Sequence, residues 1–254
     1  MEGAETPSID LEKVSEYLSS WIENKVIEAD KSGGVVGLSG GLDSSVTAAL
    51  LYRAFPENSL GVILPCESEP EDREDAYLAA ETIGISVEEV NLDEIFQDLL
   101  FRLRKVEPGK NKIAEANIKP RLRMTVLYYL AARRDALVIG TDNWSELTTG
   151  YFTKHGDGGI DIAPLGRLVK TEVRELAYQL GIPEKIINRR PSAGLWEGQA
   201  DEDELGMSYE QIDRYILTGK AEENVKGKVE KLKNNSRHKI EPPPVPEREK
   251  IREG

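Results

Sequence analysis

The stretch VVGLSGGLDSS, residues 35 to 45, decides how the rest of the sequence is interpreted. An apolar run of strand type leads into two adjacent glycines flanked by serines and an aspartate, and a helical pattern follows from Val46 to Tyr52. Gly40 and Gly41 allow positive φ and a close approach of the backbone to a ligand, so several N–H groups can converge on one anion. The dipole of the following helix adds to that field. The stretch predicts a phosphate-binding loop, with a serine- and glycine-rich turn as the plainer alternative.

The side chains of this loop indicate what kind of phosphate chemistry it serves. Ser39, Ser44 and Ser45 provide short donors to phosphate oxygens. Asp43 would repel phosphate unless a cation lay between them, so we expect Asp43 to be a magnesium ligand. The lysine that ends a Walker A loop is absent. The loop therefore differs from the type that holds the β and γ phosphates for γ transfer.

Length, composition and charge restrict the class of protein. The 254 residues suffice for one α/β domain or at most two small ones, and 39% apolar with 31% charged residues is typical of a soluble globular protein. A net charge of −13 argues against nucleic-acid and membrane-surface binding, which need a basic field. A lone Cys66 excludes an internal disulfide, and we find neither a signal peptide nor an apolar run of membrane-spanning length. We expect a cytoplasmic protein.

Strand and helix patterns alternate along the first half of the chain. Strands are predicted at Val35–Leu38, Leu60–Leu64, Val87–Leu92 and Ala136–Gly140, and helices at Val46–Ala54, Glu71–Ile83, Glu94–Lys105 and Asn117–Arg134. Further helices are predicted from a cap at Asp10, at Lys170–Leu180, and at Ser208–Leu217 behind a capping box of Ser208 and Gln211. The alternation predicts an α/β fold: a single doubly wound domain with a mostly parallel sheet and helices on both faces.

Two loops of this predicted sheet converge on one crevice. Ligands of such sheets bind at the carboxyl ends of the strands, near a switch in strand order. The phosphate loop follows the first strand, and Gly140-Thr141-Asp142 follows another. The polar, glycine-rich stretch from residue 140 to 165 has no clean period, which is typical of a loop system that carries function.

Four motifs in order give the chain a family resemblance. They are SGGLDS at 39–44, NIKPRLRM at 117–124, GTDNWSELTTGYFTKHGDGGIDIAPL at 140–165 and RPSAGLWEGQADEDELGMSYEQID at 190–213. The first is similar to the pyrophosphate loop of the N-type ATP pyrophosphatases, whose fold is adenine nucleotide α hydrolase-like. All four together, from about residue 35 to 239, resemble the ammonia-dependent NAD synthetases.

The resemblance implies a two-step ligase. The carboxylate of deamido-NAD attacks the α-phosphorus of ATP, pyrophosphate leaves, and ammonia attacks the acyl-adenylate to give NAD and AMP. The family forms homodimers that share the deamido-NAD site, so we expect an interface at the apolar face of the Met124–Ala132 helix. Glutamine-dependent relatives carry an amidase domain with a nucleophilic cysteine, and we expect no glutaminase domain here. Ammonia, free or delivered by a partner, is the donor.

The resemblance also implies roles for individual residues. The catalytic set is Asp43, Glu146, Lys170 and Ser192, with Asp43 and Glu146 as Mg²⁺ ligands. The ATP-binding set is Gly37, Leu38, Ser39, Gly40, Gly41, Leu42, Asp43, Ser44, Thr141, Lys170 and Ser192. The deamido-NAD-binding set is Arg121, Lys154, Asp161, His238 and Lys239. Arg123, two residues beyond Arg121, points to the opposite side of a helix, so we do not assign both to one ligand.

Boundaries follow from these assignments. We expect one domain over 1–254, with an N-terminal helix in 1–30, an α/β core in 31–185, and C-terminal helices and a tail in 208–254. Residues 189–206, acidic and rich in turns, form a predicted mobile lid that orders over ATP and excludes water from the acyl-adenylate. A disordered surface loop is the plainer alternative.

Two other functions remain open at this stage. Another N-type ATP pyrophosphatase, such as a GMP synthetase-like or tRNA-thiolating enzyme, would share the fold, although the thiolating enzymes usually need several cysteines. A regulatory module that binds ATP without turnover belongs to a different class. The joint presence of Asp43, Glu146 and Lys170 argues against such a module, because a sensor does not need a full set of charged contacts.

Overall fold

The computed structural model describes residues 10–196 and 198–253, and its centre is a four-stranded parallel sheet with the order β3-β2-β1-β4. The strands are β1 (Gly33–Gly37), β2 (Ser59–Ile63), β3 (Val87–Glu89) and β4 (Ala136–Val138). Val35 of β1 pairs with Leu60 on one side and with Val138 on the other. The order reverses between β1 and β4, so the two loops that follow these strands lie side by side at the switch point.

Helices connect the strands and continue beyond the sheet. They are α1 (Leu11–Glu28), α2 (Leu42–Ala54), α3 (Pro70–Ile83), α4 (Asp93–Val106), α5 (Lys112–Ala116), α6 (Ile118–Arg134), α7 (Trp144–Thr149), α8 (Lys170–Gln179), α9 (Glu184–Ile187), α10 (Asp201–Leu205), α11 (Tyr209–Thr218), α12 (Glu223–Ile240) and α13 (Arg248–Glu253). None of the helices in the described ranges is long and apolar enough to cross a membrane.

Both faces of the sheet are covered, as the alternating pattern predicts. Val35 and Val36 are fully buried, yet they belong to different core clusters because successive strand residues point to opposite faces. The cluster that contains Val36 is completed by α1, α2, α3 and α8, and the one that contains Val35 by α4 and α6. Burial on both faces explains why β2 and β4 are nearly continuous apolar runs, whereas the edge strand β3 is only partly buried and carries two glutamates. The α/β prediction is confirmed.

A third, smaller cluster lies beside the sheet. It joins Leu205 and Met207 to Tyr209 and Ile212 of α11, and to Val225 and Val229 of α12. α11 packs against α8, and α12 packs against α7. The C-terminal helices are thereby fixed to the elements that follow β4.

The predicted elements agree with the structure except at some ends. Asp10 caps α1 by accepting from Lys13 N at 3.3 Å, and Ser208 and Gln211 form the predicted capping box of α11. α2 begins at Leu42 rather than at Val46, because the loop is compact and Gly41 is already the N-cap. Residues 112–116, for which the pattern gave no helix, form α5 behind an N-cap at Asn111. Residues 242–246 lie outside helices and strands.

The helix proposed as an interface uses much of its apolar face inside the protomer. Ala131 of α6 is buried, and Val126, Leu127, Tyr128 and Leu130 pack against the core cluster of Val35. Tyr129 is 65% exposed. The sheet therefore covers part of this apolar face, and an interface at the Met124–Ala132 helix stays a prediction.

Candidate active site

The loop between β1 and α2 closes on itself through its serines. Gly41 N donates to Ser39 Oγ at 3.2 Å, and Ser39 Oγ lies 3.0 Å from Ser44 Oγ. Ser44 and Ser45 both donate to the carbonyl of Gly41, at 3.0 and 2.8 Å. The N-cap of α2 is Gly41, which provides no side-chain cap, so the first N–H groups of a 13-residue helix face the loop unblocked. Such a terminus is suited to a phosphate.

Gly40 shows why a glycine is needed in this loop. Its φ is +77°, and a Cβ at this position would lie 2.4 Å from the carbonyl oxygen of Asp72 and 2.9 Å from Asp75 Cβ. The loop therefore packs directly on the backbone of α3. This contact fixes the position of the loop from behind.

A buried lysine lies between two carboxylates at the end of the loop. Lys170, the first residue of α8, donates from Nζ to Asp43 Oδ2 and, at 3.1 Å, to Glu146 Oε1. Its side chain is 5% exposed, against 15% for Asp43 and 13% for Glu146. A lysine in the first turn of a helix is mildly disfavoured by the dipole, and these two anions offset that cost.

Asn143 orients both carboxylates from the N-cap of α7. Its Nδ2 donates to Asp43 Oδ1 at 2.8 Å, and its Oδ1 accepts from Glu146 N at 3.0 Å. The Glu146 Oε2 accepts from Asn143 N at 3.1 Å, which completes a capping box. Asp43, Asn143, Glu146 and Lys170 are called the charged floor below. Each of its polar contacts spans different elements or caps a helix, so its geometry is set by the fold.

Burial and charge shift the protonation of this group. Burial and the negative charge of Asp43 raise the pKa of Glu146 to about 7, against the opposing effect of Lys170. Burial disfavours the charged form of Lys170, but Asp43 and Glu146 outweigh it and hold the lysine pKa above its usual range. Strongly shifted groups in a cleft are typical of functional sites.

Two more carboxylates face the same cleft without satisfied oxygens. Asp142 Oδ2 and Asp201 Oδ1 have no hydrogen-bond partner among residues 10–196 and 198–253, and both side chains are buried. Burial, followed by the charges of Asp157, Glu146 and Asp43, raises the pKa of Asp142 well above its ordinary value. Burial therefore favours the neutral, protonated form of Asp142.

This donor set fits a hard divalent cation. Asp43 and Glu146 offer carboxylate oxygens to the cleft, and Asp142 and Asp201 each keep one buried oxygen without a hydrogen-bond partner in the described ranges. Within the described ranges, no three histidine, cysteine, aspartate or glutamate side chains converge in a metal-binding geometry. Two carboxylates, completed by phosphate and water, are what magnesium usually takes from a protein.

A cavity of about 770 Å³ opens above the charged floor at the carboxyl ends of the strands. All of the predicted ATP-binding residues except Gly40 line it, including Thr141 and Ser192, which come from distant parts of the chain. Gly140 and Thr141 follow β4, beside the phosphate loop of β1. The structure therefore brings this set together at one cleft, and ATP as its ligand stays a prediction.

The lid segment, residues 189–206, crosses this cavity, with residue 197 outside the described ranges. Arg189 binds Asp72 and Asp75 of α3 at its beginning. In its middle, Lys119 of α6 donates to the carbonyl of Leu195 at 3.1 Å, and Lys112 lies 4.0 Å from the ring centre of Trp196. The segment is thus held against α3 on one side and against α5 and α6 on the other.

The predicted deamido-NAD residues separate into three places. Arg121 donates to the carbonyl of Lys154 at 3.3 Å, and Lys154 Nζ donates to the carbonyl of His238, so these three residues lie together on an exposed surface outside the cavity. Lys239 lines the cavity and donates to the carbonyls of Gly150 and Phe152, at 2.7 and 2.8 Å.

Asp161, the fifth member of that set, is engaged within the chain. Its Oδ1 accepts from Tyr128 Oη at 3.0 Å and its Oδ2 from Val138 N at 2.8 Å. Burial and the neighbouring Asp161 raise the pKa of Tyr128 to about 12. The Asp161 carboxylate thereby binds the last residue of β4. A role of Asp161 in binding a ribose or an amide of the substrate stays a prediction.

Sequence reasoning missed several residues of the cleft. Asn143 is the most informative of them, and the pattern N-W-S-E, an N-cap followed by a glutamate three residues later, would have identified it. Arg123 lines the cavity while Arg121 does not, consistent with their opposite directions on α6, and it donates from Nε to Leu64 O at 3.0 Å. Asp142 and Asp201 carry no local signal.

This parallel α/β sheet, with a glycine-rich loop at its switch point and a charged floor beneath a cavity, places the chain among the nucleotide-binding α/β proteins. The family model for NAD synthase matches residues 14–243. An NH(3)-dependent NAD(+) synthetase of Carboxydothermus hydrogenoformans is 52% identical over 239 residues, which are 94% of this chain and 98% of the relative. The chain belongs to the NAD synthase family.

Solved structures resemble it over almost the whole length. The NMN synthetase of Francisella tularensis superimposes with a TM-score of 0.89 at 33% identity, covering 94% of this chain and 99% of that one. The NH3-dependent NAD synthetase of Campylobacter jejuni gives a TM-score of 0.77 at 28% identity, covering 94% and 100%. The fold is therefore that of these enzymes over 94% of the chain.

Proposed function

We propose that the chain amidates deamido-NAD with ammonia at the expense of ATP, forming NAD, AMP and pyrophosphate through an acyl-adenylate. The observation that carries the proposal is the buried Lys170 between Asp43 and Glu146, directly beside a phosphate loop without a Walker lysine, in a chain of this family. A Walker loop would hold the terminal phosphates for γ transfer. This loop leaves the α-phosphorus accessible for attack by a carboxylate.

The chain's own residues perform the binding and charge-balancing work. The N–H groups at the start of α2 and the serines of the loop bind the pyrophosphate of ATP. The positive charge of Lys170 stabilises the negative charge that grows on the phosphates as pyrophosphate leaves. Thr141 and Ser192, which both line the cavity, contact the nucleotide. Because the donors of the phosphate loop are fixed before the substrate binds, little reorganisation of that loop is needed during the reaction.

Magnesium is the metal that Asp43 and Glu146 would hold. When bound, it supplies positive charge to the phosphate oxygens of ATP. Asn143 keeps the two carboxylates in position for it by binding one through its amide and capping the helix of the other. Metal binding needs the ionised form of Glu146, whose pKa is raised to about 7 in the ligand-free cleft.

The lid segment excludes water from the acyl-adenylate in this proposal. Its three glycines with positive φ, Gly194, Gly198 and Gly206, give the backbone places at which to change direction. The contacts of Lys119 and Lys112 already draw its middle across the cavity. Nucleotide binding completes the closure, because Ser192 lies within the segment.

A homodimer in the cytoplasm is the assembly and location that we propose. Neighbouring helices α4 and α6 leave large apolar side chains exposed, with Phe101 60% and Tyr129 65% accessible. The surface of Arg121, Lys154 and His238 is outside the cavity of one protomer, so it is available to a dinucleotide that reaches toward a second copy. A buried, unpaired Cys66 is consistent with a reducing compartment. Light scattering at micromolar concentration tests the dimer.

One reaction mixture tests the function. The chain is incubated with ATP, magnesium, ammonium and deamido-NAD, and NAD, AMP and pyrophosphate are expected in equal amounts. Formation of ADP, or no turnover, would contradict a ligase of this type. ATP binding without any product would instead support the regulatory module, and turnover with xanthosine monophosphate would support a GMP synthetase-like enzyme.

Nicotinic acid mononucleotide is a second candidate substrate, and a parallel assay tests it. The chain resembles an NMN synthetase with a TM-score of 0.89, and of the five residues assigned to the dinucleotide only Lys239 lines the cavity. The same amidation applied to nicotinic acid mononucleotide would yield NMN. We expect a higher kcat/KM with deamido-NAD, and the reverse ratio would assign the chain to mononucleotide amidation.

A further inference from the structure

A network of charged side chains ties the beginning of the lid segment to α3. Arg189 binds Asp72 through Nη2, and its Nη1 lies 3.2 Å from Asp75 Oδ2. Lys185 of α9 lies 2.6 Å from Asp75 Oδ1 and 3.4 Å from Glu71 Oε1. The side chain of Asp75 is only 1% exposed, so its negative charge depends on these two cations.

The same stretch of α3 supports the phosphate loop. The backbone of Gly40 packs so closely on it that an added Cβ would lie 2.4 Å from Asp72 O and 2.9 Å from both Ala76 N and Asp75 Cβ. These are contacts with backbone and with a Cβ, which cannot move without moving the helix. The carboxylates of Asp72 and Asp75 are therefore held at a fixed distance from the loop.

Ser192 follows Arg189 by three residues and is held in a turn next to the same aspartate. Gly194 N donates to Ser192 Oγ at 3.1 Å, and a Cβ at Gly194 would lie 3.8 Å from Asp72 Oδ2. Asp72 thus touches the phosphate loop through its backbone and the lid segment through its side chain. Arg189 is the residue that joins the two.

We propose that Arg189 is a positioning residue for the nucleotide: by binding Asp72 and Asp75, it holds Ser192 at a fixed distance from the phosphate loop. The proposal rests on the proposed use of ATP. Arg189 acts through the two aspartates, and Ser192 and the loop touch the phosphates. Without Arg189, the lid segment keeps its contacts with Lys119 and Lys112. Its beginning is then no longer held at a fixed position relative to the phosphate loop.

The test compares Arg189→Ala with Lys185→Ala in the full chain. Both changes remove one cation from the buried Asp75, but only the first detaches the lid segment. Titration calorimetry with magnesium and ATP should show that Arg189→Ala raises the Kd about tenfold, the effect of losing a charge-assisted hydrogen bond. Lys185→Ala should change it by less than about twofold, because Lys185 lies outside the lid segment and its own side chain is 48% exposed. Equal Kd values for the two variants would overturn the proposal.

Two further variants separate positioning from direct contact and from unfolding. Arg189→Lys keeps a cation near Asp72 and should recover most of the affinity, even if Arg189→Ala folds poorly. Asp72→Asn should weaken ATP binding and add little to the effect of Arg189→Ala. Unchanged binding by Asp72→Asn would overturn the proposal and place Arg189 on the phosphate itself.

Steady-state kinetics provide a second test, because a purely structural role of Arg189 would not change KM for ATP separately from kcat. With Arg189→Ala, the KM for ATP should rise while kcat at saturating ATP changes much less. An equal fall of kcat with unchanged KM would contradict the proposal. Normal ATP binding by the unaltered chain without NAD formation would count against the proposed function alone, whereas normal NAD formation with equal Kd values in the two alanine variants would overturn only the role of Arg189.

Discussion

The charged floor and the lid segment face the same cavity but hold their polar groups in opposite ways. In the floor, Lys170 and its carboxylates are buried, and Asn143 bonds to Asp43 across 100 positions of sequence. In the lid segment, the pair Arg190–Asp203 is 62% and 66% exposed. Burial thus fixes the charges of the floor, whereas part of the lid segment is paired only at the surface, as the closing lid that we propose requires.

The largest effect on turnover is expected from a substitution in the charged floor itself. Asp43→Ala removes a metal ligand and one of the two anions that balance Lys170, so turnover should fall at least about a thousandfold. NAD formation is measured at saturating substrates, with circular dichroism to verify folding. Glu28→Ala, which removes an exposed carboxylate from α1, serves as the control and should leave turnover unchanged. Substantial activity in Asp43→Ala would show that the metal is held elsewhere.

A smaller effect on ATP binding is expected where the phosphate loop packs on α3. Gly40→Ala and Gly181→Ala both place a side chain at positive φ, +77° and +73°, but only at Gly40 would the new Cβ collide with α3. Both should lose about 1 to 2 kcal/mol of stability from the left-handed backbone. Only Gly40→Ala should also weaken ATP binding, about ten- to hundredfold, as the loop donors move.

Thermal denaturation and ATP titration of the two glycine variants give the comparison. If Gly181→Ala weakened ATP binding as much as Gly40→Ala, the contact with α3 would not be what positions the loop.

The next effect concerns the residue that orients the floor. Asn143→Ala removes the N-cap of α7 and the amide donor to Asp43, so stability should fall by about 1 kcal/mol and apparent magnesium affinity about tenfold. Ser208→Ala removes the equivalent cap of α11, away from the cavity. It should lose similar stability and keep the magnesium dependence of the unaltered chain. Parallel loss of magnesium affinity in both variants would reduce the role of Asn143 to helix capping.

The smallest effect concerns the lid segment. Limited proteolysis between residues 189 and 206 should slow when ATP and deamido-NAD are both present, because closure buries the exposed turn at Ser192. Cleavage in the exposed stretch 242–247 provides an internal reference that ligands should not change. Equal cleavage of the lid segment with and without ligands would show that it does not close.

The sequence predicted most of the fold because its signals are local. Strands β2 and β4 are short apolar runs, and Gly40, Gly41 and Asp10 mark a loop and a cap through their own backbone or side-chain preferences. The parallel direction of the strands also follows from the alternation of elements, whereas their order was not predicted. Ends differed where hydrogen bonding rather than periodicity decides them, as at Leu42.

The floor could be predicted only in part, because its contacts are distant in sequence. Asp43, Glu146 and Lys170 were assigned through motifs, but nothing local shows that Lys170 lies between the two carboxylates, 127 and 24 positions away. The unsatisfied oxygens of Asp142 and Asp201 depend on burial, which the sequence does not encode at a single position. Arg189 and its two aspartates became visible only when α3 and the lid segment were placed together.

The N-cap of α7 limits which substitutions the chain can accept at one position. Serine, threonine, aspartate and asparagine all begin helices well, so stability alone would tolerate any of them at residue 143. Aspartate would place a third carboxylate against Asp43, and the shorter hydroxyl side chains cannot present a separate acceptor and amide donor. Asparagine alone among these four satisfies the helix and the carboxylate together. Selection for the stability of α7 and selection for catalysis therefore act on the same side chain. A substitution at residue 143 that changes one of these two properties also changes the other.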